Sequence, residues 1–180
     1  RIAELLRSIP IKAVYENCAG LGFGEQGCNA FKELVGEPPN INHVDCAVAK
    51  PVNDGLVSDE ILELGTPTGV LPGRLDQMVA KSGRTSGITF DPIRQVNVTV
   101  DVGYGDFIAR FEDQFIVQHE RINPEKPSTV IPFSEPGDSG SIVVDNSSRD
   151  LVVGELLAGA PSVTIVNPIE RIFSALQVSL

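Results

Sequence analysis

Glu135-Pro136-Gly137-Asp138-Ser139-Gly140-Ser141 is the stretch on which the fold turns. A nucleophilic serine needs an exposed Oγ on a tight turn, with backbone N–H groups aimed at a developing oxyanion. Glycines on either side of Asp138-Ser139 permit the unusual dihedrals and the close backbone approach that such a turn requires. The N–H groups of Gly137 and Ser139 are the candidate oxyanion donors. Asp138 is the candidate to hold the loop through a buried ion pair. Asp-Ser-Gly alone also reads as an ordinary polar turn. The context favours the chemical reading: an extended segment precedes the turn, and the apolar run Ile142-Val143-Val144 follows it directly.

Working outward, the chain is a series of short β-like runs broken by Gly, Pro, Asn and Asp. The clearest are Val44–Ala49, Met78–Lys81, Val96–Gly103, Phe115–Gln118, Ser141–Val144, Leu151–Leu157 and Val163–Val166. Val96 to Val102 alternates apolar and polar residues, as a half-buried strand does. Seventeen glycines and 13 prolines supply the turns between them. Long amphipathic helices between strands are missing, so the pattern predicts an all-β barrel or sandwich rather than βαβ units. Three segments read as helical. Ile2, Leu5, Leu6 and Ile9 have helical spacing up to Pro10. Asn29–Val35 precedes Gly36. Pro168–Leu176 has Asn167 as its expected N-cap and Ile169, Ile172, Phe173 and Leu176 on one face. Glu37-Pro38-Pro39-Asn40 and Thr66–Gly73 read as connections, the second as a domain junction.

Asn42-His43-Val44-Asp45-Cys46-Ala47-Val48-Ala49 sets an acid inside an apolar run. Burying a carboxylate costs several kcal/mol unless it is paired or hydrogen-bonded. Asp45 therefore reads either as the orienting acid of a Ser-His-Asp triad or as a solvated strand-end residue.

Composition narrows the partners. The 180 residues carry 14 Lys+Arg against 24 Asp+Glu, a net charge of −10, and are 42% hydrophobic. That is a globular composition, and without a Lys/Arg cluster it argues against nucleic acid as a main partner. No apolar run approaches the ~18 residues of a membrane span. Cys18, Cys28 and Cys46 make an odd count and read as reduced thiols, with Cys46 buried in a strand. A Cys18–Cys28 bridge is the alternative. A zinc site from Cys18, Cys28, His43 and Cys46 has no compact-site spacing, so no metal is expected.

These residues resemble the trypsin-like, chymotrypsin-fold serine peptidases. Gly137-Asp138-Ser139-Gly140 is similar to the family's nucleophile motif, and Asp45 stands in a segment similar to the strand bearing its acid. Lys81-Ser82-Gly83-Arg84-Thr85-Ser86-Gly87 resembles a Lys/Arg-Ser-Gly-x-Thr-Thr-Gly segment of bacterial, streptogrisin-like members. Leu151–Gly159 resembles the strand that pairs with substrate, and Thr164–Ile169 the last strand before a C-terminal helix. Ordered motifs of this kind are far more specific than Gly-Asp-Ser-Gly alone. The resemblance implies antiparallel β-barrels with a short C-terminal helix. Residues 1–66 would be the last part of a first barrel carrying the acid, and 67–180 a complete second barrel carrying the nucleophile. It implies a serine endopeptidase that needs no cofactor, acts on a peptide or protein and works through an acyl-enzyme. It also implies that Lys81 or Arg84 reaches Asp138. The specificity pocket would have Phe133 at its base and Leu157, Ala158 and Gly159 as its wall, favouring an apolar or small side chain.

The family's triad also requires a histidine, and neither His43 nor His119 fits. His43 lies two residues before Asp45, about 6–7 Å from it if both stand on one strand. His119 falls in a strand-to-loop region and reads as a surface residue. The chain starts at Arg1 without an initiator Met, so it is expected to be a processed product or fragment whose base lies upstream. The alternative from another class is an inactive, peptidase-like module that binds a peptide along Leu151–Gly159 by β-augmentation.

Overall fold

The computed structural model describes residues 3–14, 32–34 and 39–180. Two strands, β1 (Ala3–Ser8) and β2 (Ala47–Pro51), pair antiparallel as a small sheet of their own. The remaining strands are β3 (Gly69–Val70), β4 (Met78–Gly83), β5 (Gly87–Gly103), β6 (Ile108–Gln118), β7 (Ile122–Asn123), β8 (Lys126–Val130), β9 (Ile142–Asp145), β10 (Leu151–Ala160) and β11 (Val163–Pro168). Helix α1 (Ile169–Leu176) follows the last strand.

Among the described residues, β4, β5, β6, β11, β10 and β9 pair antiparallel in that order, and β9 returns to β4. The ring is a closed barrel, so its strands are covered on both sides wherever they pair. β3 adds in parallel beside Leu151 and Val152 of β10, so the expected junction at Thr66–Gly73 contributes a strand to the barrel. Val79, Ile93, Phe115, Val117, Phe133, Val143, Val153, Leu156 and Val166 fill the interior. β7 and β8 form a separate hairpin.

The alternation seen at Val96–Gly103 belongs to the second half of the long strand β5. Val98, Val100 and Val102 are half-buried between exposed neighbours. Val96 breaks the pattern because Asn97 takes a φ of 54° and the register against β6 shifts there. Ala3–Ser8 is a strand and not the expected helix. Six residues make a marginal helix in isolation, whereas pairing with β2 satisfies the backbone. Leu5 and Leu6 remain exposed. Residues 32–34 are helical; the rest of the expected Asn29–Val35 helix, with Cys18 and Cys28, lies outside the described residues.

α1 lies where expected and buries Ile169, Ile172 and Leu176. Its N-cap is Pro168, with no side-chain cap. Asn167 instead lies within β11, fully buried, and its Nδ2 donates to the Asp45 carbonyl at 3.0 Å. That bond ties the acid-bearing segment to the barrel. Further ties run along β6: Asn42 N–H donates to the Arg110 carbonyl, and Glu112 N–H to the Asn42 carbonyl.

Candidate active site

The turn from Glu135 to Ser141 hangs between the barrel interior and a cleft. Gly137 has a φ of +104° and Gly140 of +83°, both in the left-handed region. A Cβ on Gly137 would stand 2.6 Å from Thr85 Oγ1 and 2.7 Å from Arg84 Nη2, so only glycine fits. The backbone donors alternate. Asp138 N–H donates to the Glu135 carbonyl and Gly140 N–H to the Leu156 carbonyl. The N–H groups of Gly137 and Ser139, between them, have no acceptor among the described residues. Ser139 is exposed at the tip.

Asp138 lies behind the turn, 1% exposed. Its carboxylate accepts from Thr85 N–H at 2.7 Å, Ser86 N–H at 3.2 Å, Ser86 Oγ at 2.6 Å and Glu135 N–H at 3.0 Å. Burial pushes its pKa up, but the donors of Ser86, Glu135 and Thr85 outweigh it and hold Asp138 well below the usual carboxylate range. Lys81 Nζ stands 3.2 Å from Asp138 Oδ2, and neither side chain reaches solvent. Lys81 also donates to Ser86 Oγ, and to the Gly87 carbonyl at 3.1 Å. Burial pushes the Lys81 ammonium down, opposed by the Asp138 charge. Arg84 does not join this pair; its guanidinium lies over Gly137. Gly83 makes room for the pair, since a Cβ there would stand 2.5 Å from Asp138 Oδ1 and 2.8 Å from Lys81 Nζ.

Asp45 and Ser139 line one cleft of about 780 Å³, together with Tyr104, Leu157, Ala158 and Gly159. Asp45 is half-buried. Tyr104 Oη donates to Asp45 Oδ2 at 2.5 Å, and burial followed by this bond pushes the phenol up. Tyr104 is held by its stacking on Phe107, with ring centroids 5.3 Å apart. Nothing in the local sequence marks Tyr104, because β5 and the turn after it bring it to Asp45 only in the folded chain. Glu155 was also missed. It lines a smaller cavity of about 320 Å³ with Asp45, Cys46, Ser139 and Gly140. Desolvation, then the Asp45 charge, pushes its carboxyl up to about 7. Buried Cys46 is a free thiol pushed up to about 11 by desolvation, just before β2 rather than in a strand.

Leu157, Ala158 and Gly159 line the cleft, but Phe133 does not. It is wholly buried in the barrel core, and its neighbours Pro132 and Ser134 line the cleft instead. Pro132–Ser134 lie outside any strand, with Phe133 in a bend that turns its ring into the core while its two neighbours stay on the cleft. β9 pairs with β10 only as far as Glu155. Beyond it, Leu157–Ala160 face the cleft along an edge that no strand covers among the described residues.

The histidines sit apart from Ser139 and Asp45. His43 is exposed, with Nδ1 3.5 Å from Arg171 Nη1. His119, read from sequence as a surface residue, is 4% exposed. Chain reversal after β6 turns it inward against β11, where Thr164 and Pro161 hold its ring. Among the described residues no three His, Cys, Asp or Glu side chains come together as a metal site.

This architecture is the chymotrypsin-like fold. Nocardiopsis protease superposes with a TM-score of 0.56 at 16% identity, over 78% of this chain and 70% of that one. Thermobifida fusca protease A gives 0.54 at 18% identity, over 77% and 69%. A glutamic acid-specific serine protease, described as using a histidine triad in substrate binding, gives 0.51 at 20% identity, over 76% and 67%. Against Cellulomonas bogoriensis chymotrypsin the chain spans 52% of that protein's length. No family model and no curated protein matches the sequence. At these identities the likeness is one of fold. No described helix is long and apolar enough to cross a membrane.

Proposed function

We propose that the protein is the nucleophile-bearing part of a serine endopeptidase. One observation carries the reading: exposed Ser139 and half-buried Asp45 line the same cleft, while the N–H groups of Gly137 and Ser139 are left without acceptors. Ser139 Oγ attacks the scissile carbonyl. The two N–H groups bind the oxyanion of the tetrahedral intermediate, whose collapse expels the amine and leaves an acyl-enzyme for water to hydrolyse. The Lys81–Asp138 pair holds that loop in place before substrate arrives. Leu157–Gly159 align an extended peptide by strand addition.

Tyr104 occupies Asp45 Oδ2, which leaves Oδ1 to accept from an imidazole N–H. Neither His43 nor His119 is placed to supply that imidazole. We assign the base to a histidine on a segment outside these 180 residues, docking beside Asp45 and Ser139. Without it Ser139 is a weak nucleophile. The chemistry calls for no metal or organic cofactor.

Labelling by a fluorophosphonate, with Ser139→Ala as control, tests the reading. Ser139 should be modified slowly in this chain and at least ~100-fold faster once a histidine-bearing upstream segment is joined to it. No modification even then would favour a peptide-binding module in which the cleft holds a strand without cutting it.

A further inference from the structure

The cleft is walled by apolar groups, among them Val102, Pro132, Leu157, Ala158 and Pro161. Of the polar side chains that also line it, Ser134 is the buried one. Ser134 is 7% exposed, lines the cleft, and has its Oγ 2.6 Å from Thr164 Oγ1. Thr164, fully buried, lies in turn 2.9 Å from Nε2 of His119. His119 Nδ1 faces the Pro161 carbonyl at 3.3 Å. A Cβ on Gly159 would stand 2.8 Å from Ser134 Oγ, so glycine there leaves the hydroxyl uncovered.

The direction of this relay follows from what each atom can do. A carbonyl only accepts, so His119 Nδ1 carries a proton and donates to Pro161. In the neutral ring Nε2 is then an acceptor, and Thr164 donates to it. Thr164 has one proton, so it must accept from Ser134. Ser134 has then used its own proton and offers the cleft lone pairs alone. If Nε2 is protonated as well, the Pro161 bond stays and the two hydroxyl bonds reverse: His119 donates to Thr164, Thr164 to Ser134, and Ser134 donates into the cleft.

We propose that Ser134, oriented by Thr164 and His119, selects the substrate side chain entering the cleft: with His119 neutral it accepts, so the cleft takes an uncharged hydrogen-bond donor of the carboxamide class, and it takes a carboxylate only together with a proton on His119. This rests on the peptidase reading and replaces the apolar preference expected from Phe133. Burial pushes His119 down and so favours the neutral relay. The charged groups facing the ring are Asp91 of β5, which opposes that shift, and Arg121 after β6, which adds to it. In the cleft, Asp45 and the exposed Glu135 add negative charge that disfavours a carboxylate. His119 and Thr164 are positioning residues; Ser134 alone touches the substrate.

The test uses acetylated tetrapeptides ending in Gln, Glu or Leu, bound to the whole chain. Binding is read by calorimetry, and the His119 ring by nitrogen-15 NMR. At pH 7.5 the Gln peptide should bind at least ~10-fold more tightly than the Glu and Leu peptides, because a buried acceptor without a donor is penalised. By linkage, saturating Glu peptide should raise the His119 midpoint and Gln peptide should lower it. Thr164→Val should abolish the opposite signs of these shifts, and Ser134→Ala should erase the Gln preference. If either variant fails to fold, the shifts in the unmutated chain decide. Tightest binding by Leu, equal midpoints with Gln and Glu, or no binding by any peptide overturns the proposal. The peptidase reading is judged separately by fluorophosphonate labelling of Ser139, whose reagent needs no hydrogen bond from Ser134. Gln-selective binding with an unlabelled Ser139 would keep the selectivity and refute the enzyme.

Discussion

Asp138 and Lys81 face each other at 3.2 Å with no solvent on either side. Removing one member strands the other as a buried charge. Lys81→Met should therefore lose about 3–5 kcal/mol in urea unfolding. Because the Asp138 pKa is depressed in the fold, its stabilisation is present above the unfolded carboxylate pKa near ~3.9 and is lost as pH falls toward the folded value. Glu155 has the opposite sign. Its folded pKa is raised to about 7, so the native state binds the extra proton between the unfolded value and that point. Its cost is absent below about pH 4 and fully present above about pH 7. Glu155→Gln should then raise stability by up to about 3 kcal/mol at pH 8 and by little at pH 4.5. Thermal unfolding at the two pH values checks this, and an equal effect at both would refute it. The turn around Ser139 was legible from its residue types, whereas a cation for Asp138 came from the family resemblance, which left Lys81 and Arg84 open until the fold paired Lys81 with it. Glu155 was not legible, because its neighbours Asp45 and Gly140 come from distant parts of the chain.

At the scale of elements, the β4–β5 hairpin carries Lys81, Gly83, Thr85 and Ser86 against the turn between β8 and β9. The fit depends on the missing Cβ of Gly83. Gly83→Ala should displace Asp138 and disorder the oxyanion donors, reducing Ser139 labelling at least ~10-fold. An unchanged rate would mean that the hairpin does not position the loop. The strands were readable where one face is buried, as in Val98, Val100 and Val102. The first segment misled because Leu5 and Leu6 have helical spacing, yet backbone pairing with β2 decides its form. Phe133 misled by one position. It stands in a bend outside any strand, so which side chains of Pro132–Ser134 turn to the cleft is set by how the barrel packs around them.

Across the whole molecule, stability is unevenly spread. The barrel strands enclose a dry core, whereas every residue of β1 is exposed and β2 is nearly so. Amide exchange should be several orders of magnitude faster in β1 and β2 than at Val79, Val117, Val143 and Val153. Comparable protection in the two sheets would mean that they unfold as one unit. A histidine-bearing segment that completes the site should slow exchange in β2 and around Asp45.

The sequence by itself determined an all-β chain and the glycine-flanked turn at Gly137–Gly140, whereas a cation behind Asp138, Lys81 or Arg84, follows only from the family resemblance. The chain class and the turn follow from local chemistry: glycine where φ must be positive and alternation where one face is buried. Only the tertiary structure decided that Tyr104 holds Asp45, that Glu155 lies beside it, and that His119 is buried behind Ser134 and Thr164 rather than on the surface. Those arrangements join residues far apart in the chain through the closing of one barrel. No periodicity or motif records them, because each side chain's role depends on what another strand sets against it.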